Sequence, residues 1–591
     1  MINSRSIAVL PFVNMSSDID NEYFCDGITE EIINALTKIN QLKVIARTSS
    51  FAFKGKEIDI RLIGEQLGVN SILEGSIKKS RDRVRITAQL IDVRNGTHYW
   101  SKKFDRDLTD IFELEDEISL AIADEIRNNF GHFEVQEHLV QQPTNNVDAY
   151  QWYLKGRSVQ LKWTQEGLRE AISYYNRAIA LDKNYAKAYY ANLQCYGLLA
   201  MWGYMPYVEA IDLAISNLLI AKELDTSLPE YPLAYVGKFF WEEWDFKNAY
   251  VHIQKVLAIN PDHIDGLEAL AELFIALGFF DQALIYAHKL LEVDPLSANN
   301  HYTLAHINYY RGHFEKALGN VNYALTLNPE LELAHYLQGF CLIWLNKKEE
   351  FEESIYNTGL YEEKMLLFRV INEKNVEVPR HLLEKWSDFR NSKTTLTPYD
   401  LYILANSRHK ELAFSILKYY ISQKRGQVIN YRQEPFLEAL HKINGFADLH
   451  HSNLSYSDIE ILKVNEEKAT PGILDDHQIE TLKEALLIYF DEEKPFLNPQ
   501  LSLKVVADVL ELNTNKMSYL INQVFNTNFN DFVNSYRLEH FKNIALDPKN
   551  SHLTILGLAY DSGFNSKSVF NTYFKKVENI TPKAWMKANS F

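Results

Sequence analysis

A chain of 591 residues is too long for one hydrophobic core, so about three to five domains are expected. A hydrophobic content of 46% with 13% aromatics excludes a disordered chain, and only 16 Pro and 23 Gly suit a largely helical one. The net charge of −17 excludes a uniformly basic nucleic-acid coat, and three distant cysteines (Cys25, Cys195, Cys341) exclude a disulfide framework and point to a reducing cytoplasm.

The N-terminus lacks an apolar run long enough for a signal peptide. The uncharged stretch 188–208 is interrupted by Asn192, Gln194, Gly203 and Pro206, whereas a span needs about 20 mostly apolar residues. No membrane segment is expected, and the chain is read as cytoplasmic.

Residues 5–130 alternate strand and helix signals. Strands are expected at 7–13 and 42–46, and helices at 29–39 and 60–67. A hairpin of 71–79 and 84–93 turns at Arg81-Asp82. Asn95-Gly96 marks a turn before a strand at 99–104, and a helix over 112–129 closes a compact α/β domain with a mixed sheet. Its wording resembles TolB-like domains that precede tetratricopeptide arrays: Ile7-Ala-Val-Leu-Pro-Phe12, Tyr23-Phe-Cys-Asp-Gly-Ile-Thr-Glu30, Ala46-Arg-Thr-Ser-Ser-Phe51, Leu73-Glu-Gly-Ser76 and Arg85-Ile-Thr-Ala-Gln-Leu-Ile-Asp92. That resemblance implies no particular chemistry.

Residues 147–345 repeat a helix-ending phrase: Ala180-Leu-Asp-Lys-Asn184, Glu223-Leu-Asp225, Ala258-Ile-Asn-Pro261, Glu292-Val-Asp-Pro295 and Thr326-Leu-Asn-Pro329. Pro261, Pro295 and Pro329 recur at the tetratricopeptide period, so stacked helix pairs with a concave groove are expected. Such a groove suits a protein or peptide partner. The repeat blurs over 346–445, which remains helical in pattern, and the polar stretch 446–478 reads as a linker.

Residues 479–591 carry two helix-turn-helix patterns. In the first, apolar positions Val505, Val506, Val509 and Leu510 precede a polar break, with Asn513 or Thr514 placed to cap a helix containing Met517, Leu520, Ile521 and Val524. In the second, Gly563 makes the turn and Ser566 caps the next helix. Residues 501–591 hold ten Lys/Arg against seven Asp/Glu, a locally basic end on an acidic chain. The spacing Gly563-Phe564-x-Ser566-x-Ser568-x-Phe570-x-x-x-Phe574-Lys575-Lys576 with Thr581-Pro582 resembles AraC-type transcription regulators, as does Phe529-x-x-Phe532-x-Asn534-x-Tyr536-Arg537 for their connecting helix. Asn526 stands where that family usually has Gly, and Asn tolerates the left-handed conformation required there.

The resemblance implies double-stranded DNA as partner, read by Asn515, Lys516, Ser518, Tyr519 and Gln523 on one recognition helix. Lys567, Ser568, Asn571 and Thr572 would read from the other, with Lys575 and Lys576 beside them. Lys542, Lys549, Lys583 and Lys587 are further candidates for phosphate contact. The fold class is thus multidomain: an N-terminal α/β domain (1–132), an all-α tetratricopeptide solenoid (147–345), a helical extension (346–445), a linker (446–478) and an all-α double helix-turn-helix (479–591).

Enzyme motifs are missing. Phe53-Lys-Gly-Lys-Glu57 has Ser50 and Glu57 where a phosphate loop needs Gly and Ser/Thr, and no metalloprotease, nucleophile-elbow or kinase pattern occurs. His450-His451 lacks a surrounding cluster and reads as linker. Asp26 is expected to cap a helix rather than to mark an anion site. No catalytic residue, cofactor or metal is assigned. The function expected is a sequence-specific transcription regulator whose N-terminal domain and solenoid sense a signal or partner, with a non-catalytic protein-interaction scaffold as the alternative.

Overall fold

The computed structural model describes residues 5–201, 204–355, 359–390, 397–449, 454–455, 457–459, 476–550 and 552–589. The His450-His451 pair lies outside them, as does most of the expected linker. Among the described residues no helix is long and apolar enough to cross a membrane.

The N-terminal sheet runs β3-β1-β4-β5-β6, built from β1 (Ser6–Val9), β2 (Val13–Asn14), β3 (Lys43–Val44), β4 (Ser71–Ser80), β5 (Arg83–Asp92) and β6 (Thr97–Asp107). The expected strand 7–13 is split: β1 pairs with β3 and the start of β4, while β2 pairs further along β4 at Ser76 and Ile77. Pro11 sits at the break, where it has no N–H to give to a ladder. The strands β4, β5 and β6 form an antiparallel meander, so the sheet is mixed, as expected. Helices α1 (Glu22–Leu36), α2 (Arg47–Phe51), α3 (Ile60–Leu67) and α4 (Ile111–Phe130) accompany it.

One expectation fails here. The helix α1 starts at Glu22, so Asp26 lies inside it and pairs with Lys54 at 2.6 Å instead of capping. The extra turn buries Phe24 and Cys25 completely, a gain in apolar burial that outweighs the weak local start signal.

The solenoid comprises α5 (Val147–Gln160), α6 (Gln165–Leu181), α7 (Ala186–Met201), α8 (Tyr207–Leu224), α9 (Glu230–Gly237), α10 (Phe246–Ile259), α11 (Ile264–Leu277), α12 (Phe280–Val293), α13 (Ala298–Tyr310), α14 (Phe314–Leu327), α15 (Glu332–Trp344) and α16 (Lys348–Ile355). Asn260, Asp294 and Asn328 each end a helix outside the helical region, with φ between −142° and −140°. A proline follows each of them, and the helical region is sterically disfavoured for a residue before proline. Between paired helices, Trp244, Gly278, Gly312 and Asn346 all take positive φ at the same 34-residue spacing. The helices α17 (Tyr361–Asn372), α18 (Arg380–Ser387), α19 (Tyr399–Ala405) and α20 (Lys410–Ser422) extend the array and share its core. That core also holds Phe446, Leu454 and Ile459, so chain expected to be linker is packed there.

The α/β domain is not a free head. One buried cluster runs from Ile7 through Leu199, joining the sheet, α1 and α4 to α5, α6 and α7. Arg157 of α5 donates to Glu30 of α1 at 2.5 Å, and Lys187 of α7 donates to Glu31 at 3.2 Å. Burial raises the Glu30 carboxyl, but the charges of Arg157 and Arg47 outweigh that and hold it below the usual range. Further along, Asp294 accepts from the Ser49 N–H at 3.0 Å and the Ser49 hydroxyl at 2.5 Å, and the Val293 carbonyl accepts from the Ala46 N–H at 2.8 Å. One helix-ending phrase of the repeat thus also grips the N-terminal domain.

Candidate nucleic-acid interface

The C-terminal domain is all-α: α21 (Asp476–Glu492), α22 (Leu503–Val509), α23 (Thr514–Phe525), α24 (Phe529–Ala545), α25 (Ile555–Asp561), α26 (Lys567–Glu578) and α27 (Pro582–Asn589). In the first unit, the Ser502 hydroxyl caps α22 by accepting from the Val505 N–H, and Asn513 caps α23 by accepting from the Lys516 N–H at 2.8 Å. Asn526 ends α23 at φ +49°, the left-handed position expected for it. Leu503, Val506, Ala507, Met517, Leu520 and Ile521 close the unit against Phe490 and Phe532. Val505 and Val509, expected to share the apolar face of α22, are 44% and 50% exposed instead. Leu503 and Ala507 fill the core with Val506 in their place.

The second unit repeats the geometry. The Ser566 hydroxyl accepts from the Val569 N–H at 3.2 Å, and Asn579 ends α26 at φ +60°. Gly563 takes φ +89°, and a Cβ there would stand 2.1 Å from the Phe496 carbonyl oxygen, so the turn requires glycine both for conformation and for space. Phe541, Phe564, Phe570, Phe574 and Trp585 form its core.

The long helix α24 fixes the two units to each other. Buried Arg537 donates to the carbonyls of Phe496 at 2.8 Å and Asn498 at 2.9 Å. Burial lowers its pKa to about 10, so it stays charged at neutral pH. Tyr573 of α26 donates to the Asp531 carbonyl at 3.1 Å, and Lys576 donates to the Asp531 carboxylate at 2.7 Å. Lys576 is therefore engaged in an ion pair. Lys542 is held likewise, between Glu539 at 2.6 Å and Glu578 at 2.9 Å.

The two helices assigned to base reading differ in accessibility. On α26, Lys567, Ser568, Asn571, Thr572 and Lys575 are all exposed. On α23, Gln523 is exposed and Lys516 half-buried, but Ser518 is only 6% exposed. Asn515 and Tyr519 lie against the N-terminal domain. The Asn515 amide donates to the Val135 carbonyl at 2.9 Å, while its oxygen accepts from the Val135 N–H at 3.1 Å and from Arg127 at 2.5 Å. The Tyr519 ring meets His132 edge-on at 5.6 Å. Nothing local in the sequence connects residues 388 positions apart, so this contact could not be read from it.

Comparison with known proteins places these parts. Residues 506–588 match a helix-turn-helix domain, and residues 3–120 match the second domain of HilA/YgeH-like transcriptional regulators. The match over the N-terminal domain is thus to a regulator domain, and it does not repeat the TolB-like resemblance. The chain is 41% identical over 184 residues to a putative adenylate cyclase 3 of Rhizobium meliloti (strain 1021), a stretch that makes up 31% of each chain. It therefore spans about a third of that curated relative. Among solved structures, it is similar to a tetratricopeptide repeat protein from Parabacteroides merdae, 15% identical, covering 50% of this chain and all of that one with a TM-score of 0.27. It is also similar to YrrB, a TPR protein with an unusual peptide-binding site, 20% identical, covering 32% of this chain and 91% of that one with a TM-score of 0.22. An AraC-type helix-turn-helix domain at one end, a HilA/YgeH-like regulator domain at the other and a TPR-like helical solenoid between them are what this chain is similar to.

Proposed function

We propose that this chain is a sequence-specific, DNA-binding transcription regulator. The observation that carries the reading is a pair of capped helix-turn-helix units braced on one helix, in a segment that matches a helix-turn-helix domain. The exposed residues Lys567, Ser568, Asn571 and Thr572 suit base edges, and exposed Lys575, Lys549, Lys583 and Lys587 suit phosphates. Asn515, Ser518 and Tyr519 would add the second set of base contacts once uncovered. The α/β domain and the solenoid, joined by one core, act as the unit that receives a signal or a protein partner. No residue is assigned a catalytic role.

Selection of bound sequences from a random duplex library, followed by affinity measurement on variants, tests the reading. Lys567→Ala is expected to lose about 1–3 kcal/mol of discrimination at one base pair. Lys575→Ala is expected to weaken all sequences alike and to reduce the salt slope by about one. Absence of any binding at low salt would remove the regulator reading, and an unchanged sequence preference in Lys567→Ala would remove α26 from the groove.

A further inference from the structure

Three residues of α23 assigned to base reading, Asn515, Ser518 and Tyr519, are joined on the helix by Asn522. They recur at i, i+3, i+4 and i+7, so they line one face of the helix. That face is covered in this structure by the end of α4 and the chain that follows it. Val135 and Arg127 hold Asn515, and His132 stands against the Tyr519 ring. A Cβ on Gly131 would lie 3.2 Å from the Asn522 amide nitrogen, so the backbone passes close to the helix there. The start of α24 is tied down as well, since Asn530 donates to Asn129 at 3.0 Å.

The chemistry of the contact is informative. The Asn515 carboxamide gives one N–H to the Val135 carbonyl and takes one from the Val135 amide, a two-point pairing with a backbone unit. An asparagine reading adenine makes the same pairing, donating to N7 and accepting from N6. Residues 127–135 therefore satisfy this side chain in the manner a base would, and both cannot occupy it at once. Among the described residues the second recognition helix α26 has no such cover, and Lys567, Ser568, Asn571 and Thr572 are exposed. The cover also sits on the α/β domain, which shares its core with the first solenoid helices, so strain in the solenoid has a direct mechanical route to it.

We propose that residues 127–135 are a built-in competitor for DNA, holding the first recognition helix closed in this state, and that a signal received by the N-terminal unit releases it. The proposal rests on the DNA-binding reading above. With one unit covered and one open, the resting chain binds DNA through α26 alone, and release adds the second set of contacts.

The test uses the full chain and a random-sequence 40-bp duplex in a gel-shift titration at low salt. The releasing substitutions fall on the covering segment and leave the helix-turn-helix residues intact. Asn129→Ala combined with His132→Glu removes the rim of the contact, and Val135→Pro independently removes the N–H that Asn515 accepts from. If about a tenth or less of the native chain is open, each variant is expected to bind about tenfold tighter or more. Adding Asn515→Ala to either variant is expected to cancel much of that gain. Hydrogen exchange over 514–525 shows whether the helix is uncovered while still folded. Equal affinity of native chain and uncovered variants overturns the closed-state proposal but leaves the regulator reading standing. No binding by any of them, native chain included, overturns both.

Discussion

Replacing Phe574 by Ala is expected to cost about 3–5 kcal/mol and to unfold the second helix-turn-helix unit selectively. Phe574 is completely buried. Its ring meets Phe541 at 5.7 Å, Phe570 at 5.6 Å and Trp585 at 6.0 Å, all steeply inclined, the edge-to-face arrangement that aromatic rings favour. The core around it is small: Leu538, Phe541, Leu558, Ala559, Phe564, Phe570 and Trp585 are its other buried members. A domain's total stability is about 5–15 kcal/mol, so the loss is a large fraction of what holds this unit together. Neighbouring Lys575 is exposed, and Lys575→Ala is expected to change stability by no more than about 0.5 kcal/mol. Hydrogen exchange over 567–578 reads both variants in the full chain. A loss below about 1 kcal/mol for Phe574→Ala would mean that this core repacks around the cavity, and that the second unit does not depend on it.

What the sequence made legible was what repeats or is capped locally. Pro261, Pro295 and Pro329 announced the helix pairs because proline restricts the residue before it, and the structure ends a helix at each preceding Asn or Asp. The same positive-φ corner falls on Gly278, Gly312 and Asn346, residue types that tolerate it, and on buried Trp244, whose residue type gives no sign of it. Ser566 and Asn513 were readable as caps because the cap signal is local. Long-range contacts left no trace. Residues 426–445, expected to continue the helical pattern, instead form short 3₁₀ turns at Gly426–Val428 and Pro435–Leu440, with Phe436 and Leu440 fully buried. Asn515 looked like a free base reader because its partners, Arg127 and Val135, belong to another domain. The candidate site was therefore legible as a list of side chains, and its accessibility was not.

A strong pH dependence outside the DNA-binding domain is expected at Glu434. Its carboxylate accepts from the Tyr309 hydroxyl at 2.7 Å, the Phe436 N–H at 3.2 Å and, more weakly, the Tyr402 hydroxyl at 3.5 Å. Phe436, two residues on, stacks against Trp344 and Tyr402 at 5.1 Å each, so the carboxyl is sealed beneath aromatic rings. Burial pushes its pKa up to about 7, against the lowering effect of those donors and of His306. The folded value lies above the unfolded one, near 4.5, so the folded state is favoured by protonation. That stability is complete below about 4.5 and drains away as pH rises towards about 7. The full loss is on the order of 3 kcal/mol, because each pH unit between the two values costs about 1.4 kcal/mol. Burial also raises Glu268 of α11 and Glu125 of α4 to about 7 and Glu115 of α4 to about 8, so the native chain alone does not isolate the effect. Glu434→Gln does: the neutral amide keeps an oxygen for Tyr309 and has no charge to bury. Hydrogen exchange over 428–440 is expected to show the variant and the native chain alike at pH 5, and the variant better protected at pH 8. A difference between them that stays constant from pH 5 to pH 8 would mean that Glu434 is already ionised in the folded chain, its three donors holding the charge.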